Sequence, residues 1–163
     1  MRWLDRLATI CGGFAALFLC MIAVIIVAQI ISRLMGMHIP AADDFAAWSM
    51  AASVFLGLPY AMLHGDHIRV TLILQAIPKK WHKAYELMAT VIAIVISIWG
   101  TWHITQFVYE SYVYKQLAQG MVKMPLWIPQ LAMPIGLILF TLILIRRLIH
   151  CLQNIPLEET PHE

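Results

Sequence analysis

Residues 7–32 read "LATICGGFAALFLCMIAVIIVAQIIS", 26 consecutive positions with no Asp, Glu, Lys, Arg or His. As a helix rising 1.5 Å per residue, such a run is about 39 Å long, more than the ~30 Å hydrocarbon core of a bilayer. No soluble core helix needs so long a stretch of uncharged surface, so this segment sets the class of the protein. Three more uncharged runs follow, at residues 45–63, 87–102 and 124–145, with 19, 16 and 22 residues. The third becomes long enough once the neutral residues beyond His103 are added. Composition agrees. The 163 residues are 61% hydrophobic and only 12% charged, against about a quarter charged in soluble domains. The expectation is an all-α integral membrane protein with four transmembrane helices, roughly 7–34, 43–63, 83–114 and 125–150. They form one membrane domain over residues 1–152, followed by a polar acidic tail at 153–163 that is expected to be disordered and dispensable.

The opening "MRWLDR" looks like the basic start of a signal peptide, but the apolar run after it far exceeds the roughly 7–15 residues of such a peptide's core. A retained first helix is expected. Cys11, Cys20 and Cys151 make no CxxC pair, and the first two would sit about 14 Å apart along one helix, too far to be bridged.

Basic residues set the orientation. Arg2, Arg6, Arg69, Lys79, Lys80, Lys83, Arg146 and Arg147 fall on one side of the four spans, and only Arg33, Lys115 and Lys123 on the other. By the positive-inside rule both termini are expected in the cytoplasm. Trp99, Trp102, Tyr109, Tyr112 and Tyr114 then crowd the outer half of helix 3 and the loop after it, as amphipathic rings near headgroups do.

Within the spans, helix 2 has the clearest pattern. Ser49, Ser53, Gly57 and Ala61 recur every fourth residue and form a stripe of small side chains. Lipid gives little hydrophobic gain from bringing helices together, so close approach along small residues drives association. The stripe is expected to pack against the chain's own helices, because a four-helix bundle must close somewhere. Pro59 is expected to kink the inner half of this helix. At its outer start, Asp43 and Asp44 suit the partial positive charge of a helix N-terminus, and Arg33 is their nearest candidate partner. Helix 3 is long enough to tilt or to project into the outer compartment. It carries His103, Gln106 and Glu110 on one face, with His103 expected near the outer boundary, hydrated or facing a partner. In helix 4, Pro125 and Pro129 suit a first turn; Pro134 is expected to bend the helix, and Gly136 to admit a neighbour at the bend.

Several chemistries are excluded by what the spans lack. No acidic or basic side chain is expected at mid-depth, where a carrier of charged solutes needs such groups or broken helices. His103 is the one histidine inside a span, with only His38 of the outer loop near its level, so paired axial haem ligands are missing. No phosphate-cradling glycine loop, HExxH or nucleophile–base pair occurs. An enzyme or an autonomous transporter is disfavoured, and a membrane scaffold is favoured.

The most polar stretch is "HGDHIRV" at residues 64–70. His64, Asp66 and His67 superficially resemble a metal ligand set. Gly65 interrupts the helix, however, no fourth ligand is close in sequence, and the segment borders water. It is read as the polar inner end of helix 2. Residues 68–77 then form a short amphipathic interfacial segment with Arg69, Lys79 and Lys80 toward lipid phosphates.

Taken in order, these features resemble the DctQ-type small membrane subunit of the tripartite ATP-independent periplasmic (TRAP) transporters. The resemblance runs from helix 1 to helix 4. It rests on Arg33 closing helix 1, Asp43–Asp44 opening helix 2, Phe55–Leu56–Gly57 within it, then Gly65-Asp66-His67-Ile68-Arg69-Val70, and Pro134–Ile135–Gly136. The chain departs from the family pattern with Asp-Asp where glutamate is expected, with Thr71 where aspartate is expected, and with His64 where arginine is common. The resemblance implies a bacterial inner-membrane location, membrane lipids as neighbours with phospholipid a candidate bound molecule, and no cofactor or nucleic-acid partner. It also implies a large polytopic permease subunit that holds the substrate and sodium sites, and a periplasmic binding protein that delivers an organic acid. The acidic start of helix 2 and the outer polar face of helix 3, including Glu110, are then candidate partner contacts. The competing reading is a four-helix anchor or haem-binding subunit of a respiratory complex.

Overall fold

The computed structural model describes residues 2–37, 39–64, 82–120 and 122–152. The interfacial segment, with Gly65, His67 and Arg69, and the tail at 153–163 lie outside the described residues. Among the described residues five helices follow one another: α1 (Arg2–Leu34), α2 (Ala42–His64), α3 (His82–Val113), α4 (Trp127–Gln130) and α5 (Ala132–Leu152). Four spans are long and apolar enough to cross a membrane: Trp3–Leu34, Ala42–His64, Leu87–Val113, and Trp127–Leu152, which joins α4 to α5.

The fourth span is interrupted at Leu131, three residues ahead of the proline expected to bend it. Pro134 has no amide to donate to the carbonyl of residue 130, and its ring crowds that carbonyl. Leu131 stays in the right-handed helical region and bonds back to Ile128 at 3.3 Å. The helix is therefore broken into two pieces at this point. Pro59, by contrast, sits fully buried inside a continuous α2.

Packing order differs from the closed bundle expected from sequence. The helices stand in a row, α1 against α2, α2 against α5, and α5 against α3, with little contact between α1 and α5. Each flanking helix is covered along one stripe only. On α1 the stripe is Leu4, Ala8, Cys11, Ala15, Phe18, Ile22, Ile25, Gln29 and Ser32; on α3 it is Leu87, Thr90, Ile94, Ser97, Thr101, Ile104, Val108 and Ser111. Both advance in alternating steps of four and three, the repeat of helices crossing at about 20°. The central α5 keeps only a narrow exposed line, Leu131, Ile135, Ile138, Leu142, Ile145 and Ile149. The row stays open because the small side chains that permit close approach lie on α1, α2 and α5 rather than on a seam between α1 and α3.

Candidate functional site

Two sequence motifs meet at the centre of the row. Pro59 cannot donate to the carbonyl of Phe55, so that oxygen is left without its helical partner. Across the seam stands Gly136 of α5. A Cβ built there would lie 2.5 Å from the Phe55 carbonyl carbon, closer still to its oxygen, and 3.1 Å from the Leu56 amide. The freed carbonyl thus rests on the Gly136 backbone, the geometry of a Cα–H···O contact. Phe55–Leu56–Gly57 and Pro134–Ile135–Gly136 form one structural unit. The small-residue stripe of α2 continues the seam toward α1, where Gly57 faces Ala15 at 3.7 Å. Ser49 is buried and bonds its own helix at the Phe45 carbonyl, 2.7 Å away; Ser53 is half-buried and Ala61 exposed. Gly12 of α1 receives the Tyr60 ring, 2.6 Å from where a Cβ would stand.

The loop end of the row is tied together by groups that compensate the helix termini. α1 stops at Gly36, whose φ of +73° is the left-handed conformation that a glycine takes without strain, while Met37 bonds back to Ser32 at 2.9 Å. α3 stops in the same way with Lys115 at φ +48° and Gln116 bonded to Ser111 at 3.0 Å. At the start of α2, Asp43 accepts from Gln29 Nε2 at 3.0 Å, and the Asp44 carboxylate lies against Gly120 of the α3–α4 loop. The acidic pair is therefore held by Gln29 and the loop, while Arg33 is exposed. Gln29 wins because it belongs to the stripe of α1 that faces α2, and Arg33 does not.

At the opposite end, Arg146 of α5 forms an ion pair with Asp5 of α1, with side-chain exposures of 27% and 42%. This pair places the start of α1 and the end of α5 at one end of the row. His64 stacks on Tyr60 with ring centroids 4.2 Å apart and donates its Nδ1–H to the Tyr60 carbonyl at 3.1 Å. No group of three or more metal-ligating side chains occurs among the described residues.

Between α3 and α5 the seam is polar. Ser97 and Thr141 share a 2.6 Å hydroxyl–hydroxyl hydrogen bond, with Thr101 Oγ1 3.4 Å from Thr141 Oγ1. This contact fixes the relative depth of the two helices. Arg146 lies five residues beyond Thr141, about 8 Å, and Trp127, where the fourth span begins, lies 14 residues before it, about 21 Å. His103 is six residues past Ser97, about 9 Å toward the loop end. It therefore stands about 17 Å from the Arg146 level and about 12 Å from the Trp127 level, between the two ends of the fourth span. His103, Gln106 and Glu110 are all exposed, on the side of α3 turned away from α5. The imidazole packs on Trp99, ring centroids 4.5 Å apart.

From sequence, Gln29 is noticed only as a polar residue near the outer end of helix 1, and Asp5 and the Ser97–Thr101–Thr141 hydroxyls have no assigned role. The first was legible as a polar residue one helix turn before the end of an aliphatic run, and the last as hydroxyls spaced four apart. Nothing in the sequence pairs Asp5 with Arg146.

The family model described as "Tripartite ATP-independent periplasmic transporters, DctQ component" matches residues 21–154. No curated protein and no solved structure gives a match.

Proposed function

The chain belongs to the DctQ-component family of the tripartite ATP-independent periplasmic transporters, and on that premise we propose that it is the scaffold of its transporter. It is a transporter component and not an enzyme. In this reading it packs along the immobile part of a large sodium-coupled permease subunit and widens it in the bilayer, so that the moving part has something fixed to work against. An organic acid delivered by a periplasmic binding protein crosses through the large subunit. The end that holds Asp5 and Arg146 faces the cytoplasm, where the basic residues concentrate.

The observation that carries this reading is the open row. A chain that moved solute by itself would need a polar pathway lined by its own helices. Here the interior of the row is mainly aliphatic and small residues, with the Ser97 and Thr141 hydroxyls bonded to each other. The flank of α1 is left as largely apolar surface and that of α3 as apolar surface broken by His103, Gln106 and Glu110, and a fixed wall needs such flanks to lie against another membrane protein.

The test is co-expression with the neighbouring transporter genes from the same operon. A stable complex with a much larger polytopic subunit is expected, together with loss of organic-acid uptake in proteoliposomes when this chain is left out. Recovery of the chain alone, with uptake intact in its absence, would refute the reading. Cysteines placed at residue 33 and at residue 6 should be labelled from opposite sides of sealed vesicles.

A further inference from the structure

We infer that the face of α3 bearing His103 and Gln106 receives a transmembrane helix of the large membrane subunit, which brings a hydrogen-bonding side chain to the imidazole within the span. This inference rests on the scaffold reading and narrows it to one face of one helix.

The Ser97–Thr141 bond sets the level of His103 about 17 Å from Arg146 and about 12 Å from Trp127, between the two ends of the fourth span. Its side is equally defined, since the covered stripe of α3 runs through Ser97, Thr101 and Ile104, and His103 and Gln106 stand exposed on the other side. Trp99 covers one edge of the imidazole, but neither ring nitrogen has a hydrogen-bond partner among the described residues. Acyl chains offer neither a donor nor an acceptor. Polar groups left there against hydrocarbon are costly. A protein side chain supplied from outside the chain removes that cost.

The chemistry of the occupant follows from the stripe. His103 gives one donor and one acceptor, Gln106 one turn on gives both, and Glu110 adds a carboxylate toward the loop end. A complementary helix would carry a hydroxyl, amide or carboxyl group level with His103 and a basic or hydroxyl side chain near Glu110. The acidic start of α2, the other candidate for partner contact, is already occupied within the chain by Gln29 and the Gly120 loop. That leaves α3 as a polar face without a partner among the described residues.

The experiment uses the co-expressed complex, with benzoylphenylalanine placed at position 106 and, separately, the variants His103→Leu and His103→Asn. Photolysis should link position 106 to the large subunit. His103→Leu should lower the recovered ratio of large subunit to this chain about threefold to twentyfold, the range of one interhelical hydrogen bond in a membrane. His103→Asn should restore most of it. The melting midpoint of the chain purified alone should stay unchanged in both variants, because the side chain is exposed there. If the wild-type complex forms but position 106 labels only lipid or a second copy of this chain, the inference is overturned and the scaffold reading stands. The same holds if His103→Leu assembles as well as wild type. If the wild-type chain forms no complex, both fall together.

Discussion

Gly136→Ala puts the central seam under the most direct test. The added methyl would stand 2.5 Å from the Phe55 carbonyl carbon and 3.1 Å from the Leu56 amide, where non-bonded carbon contacts settle at about 3.5–4.0 Å. Both obstacles are backbone, so no rotamer change relieves them, and α2 and α5 must separate by about 1 Å. Separation of that size forfeits a quarter to a half of the dispersion energy of each contact along the seam. The Cα–H···O contact to the freed carbonyl, worth about 0.5–1 kcal/mol, is lost as well. Overpacking typically costs about 1–3 kcal/mol, and about 2 kcal/mol is expected here, or a fall of ~4–8 °C in Tm for a chain of this size. Thermal unfolding in detergent micelles, followed by tryptophan fluorescence, reads the shift. Gly13→Ala is the control, since a Cβ there meets nothing within 4 Å. If Gly136→Ala melts with the control, the two helices do not approach each other as described, and the joining of Phe55–Leu56–Gly57 to Pro134–Ile135–Gly136 is wrong.

Three other perturbations follow from the same geometry. In a double-mutant cycle, Ser97→Ala and Thr141→Val should show a coupling of about 0.6–1.7 kcal/mol; zero coupling in thermal or steric-trapping measurements would remove the hydroxyl bond from the seam. Asp5→Asn should cost no more than about 1 kcal/mol, because the pair is part-exposed, and the difference from wild type should shrink in high salt. A salt-independent loss of several kcal/mol would mean that the pair is buried far more deeply than its 27% and 42% exposures indicate. Lys115→Gly should raise stability by up to about 1 kcal/mol, since it relieves a side chain held at φ +48°. A lower Tm would show that the lysine side chain contributes more than its backbone conformation costs.

The sequence by itself determined the number of spans and the family. Length and absence of charge are sufficient for the first, because a bilayer selects helices by both. The second came from motifs whose order survives without any contact being known, such as Asp43–Asp44 before Phe55–Leu56–Gly57. Tertiary structure decided which way each helix faces. In a soluble protein a covered stripe is legible because the exposed side must be polar. Here α1 is apolar all round, so Leu4, Ala8, Cys11 and Ala15 are chemically indistinguishable from the exposed Ile10, Phe14 and Leu17 until α2 is placed beside them. Depth is undetermined for the same reason. A helix longer than the membrane can slide, and only the Ser97–Thr141 bond between α3 and α5 fixed where His103 stands. The pairing of Asp43 with Gln29 rather than Arg33 likewise depends on the face that α1 turns to α2.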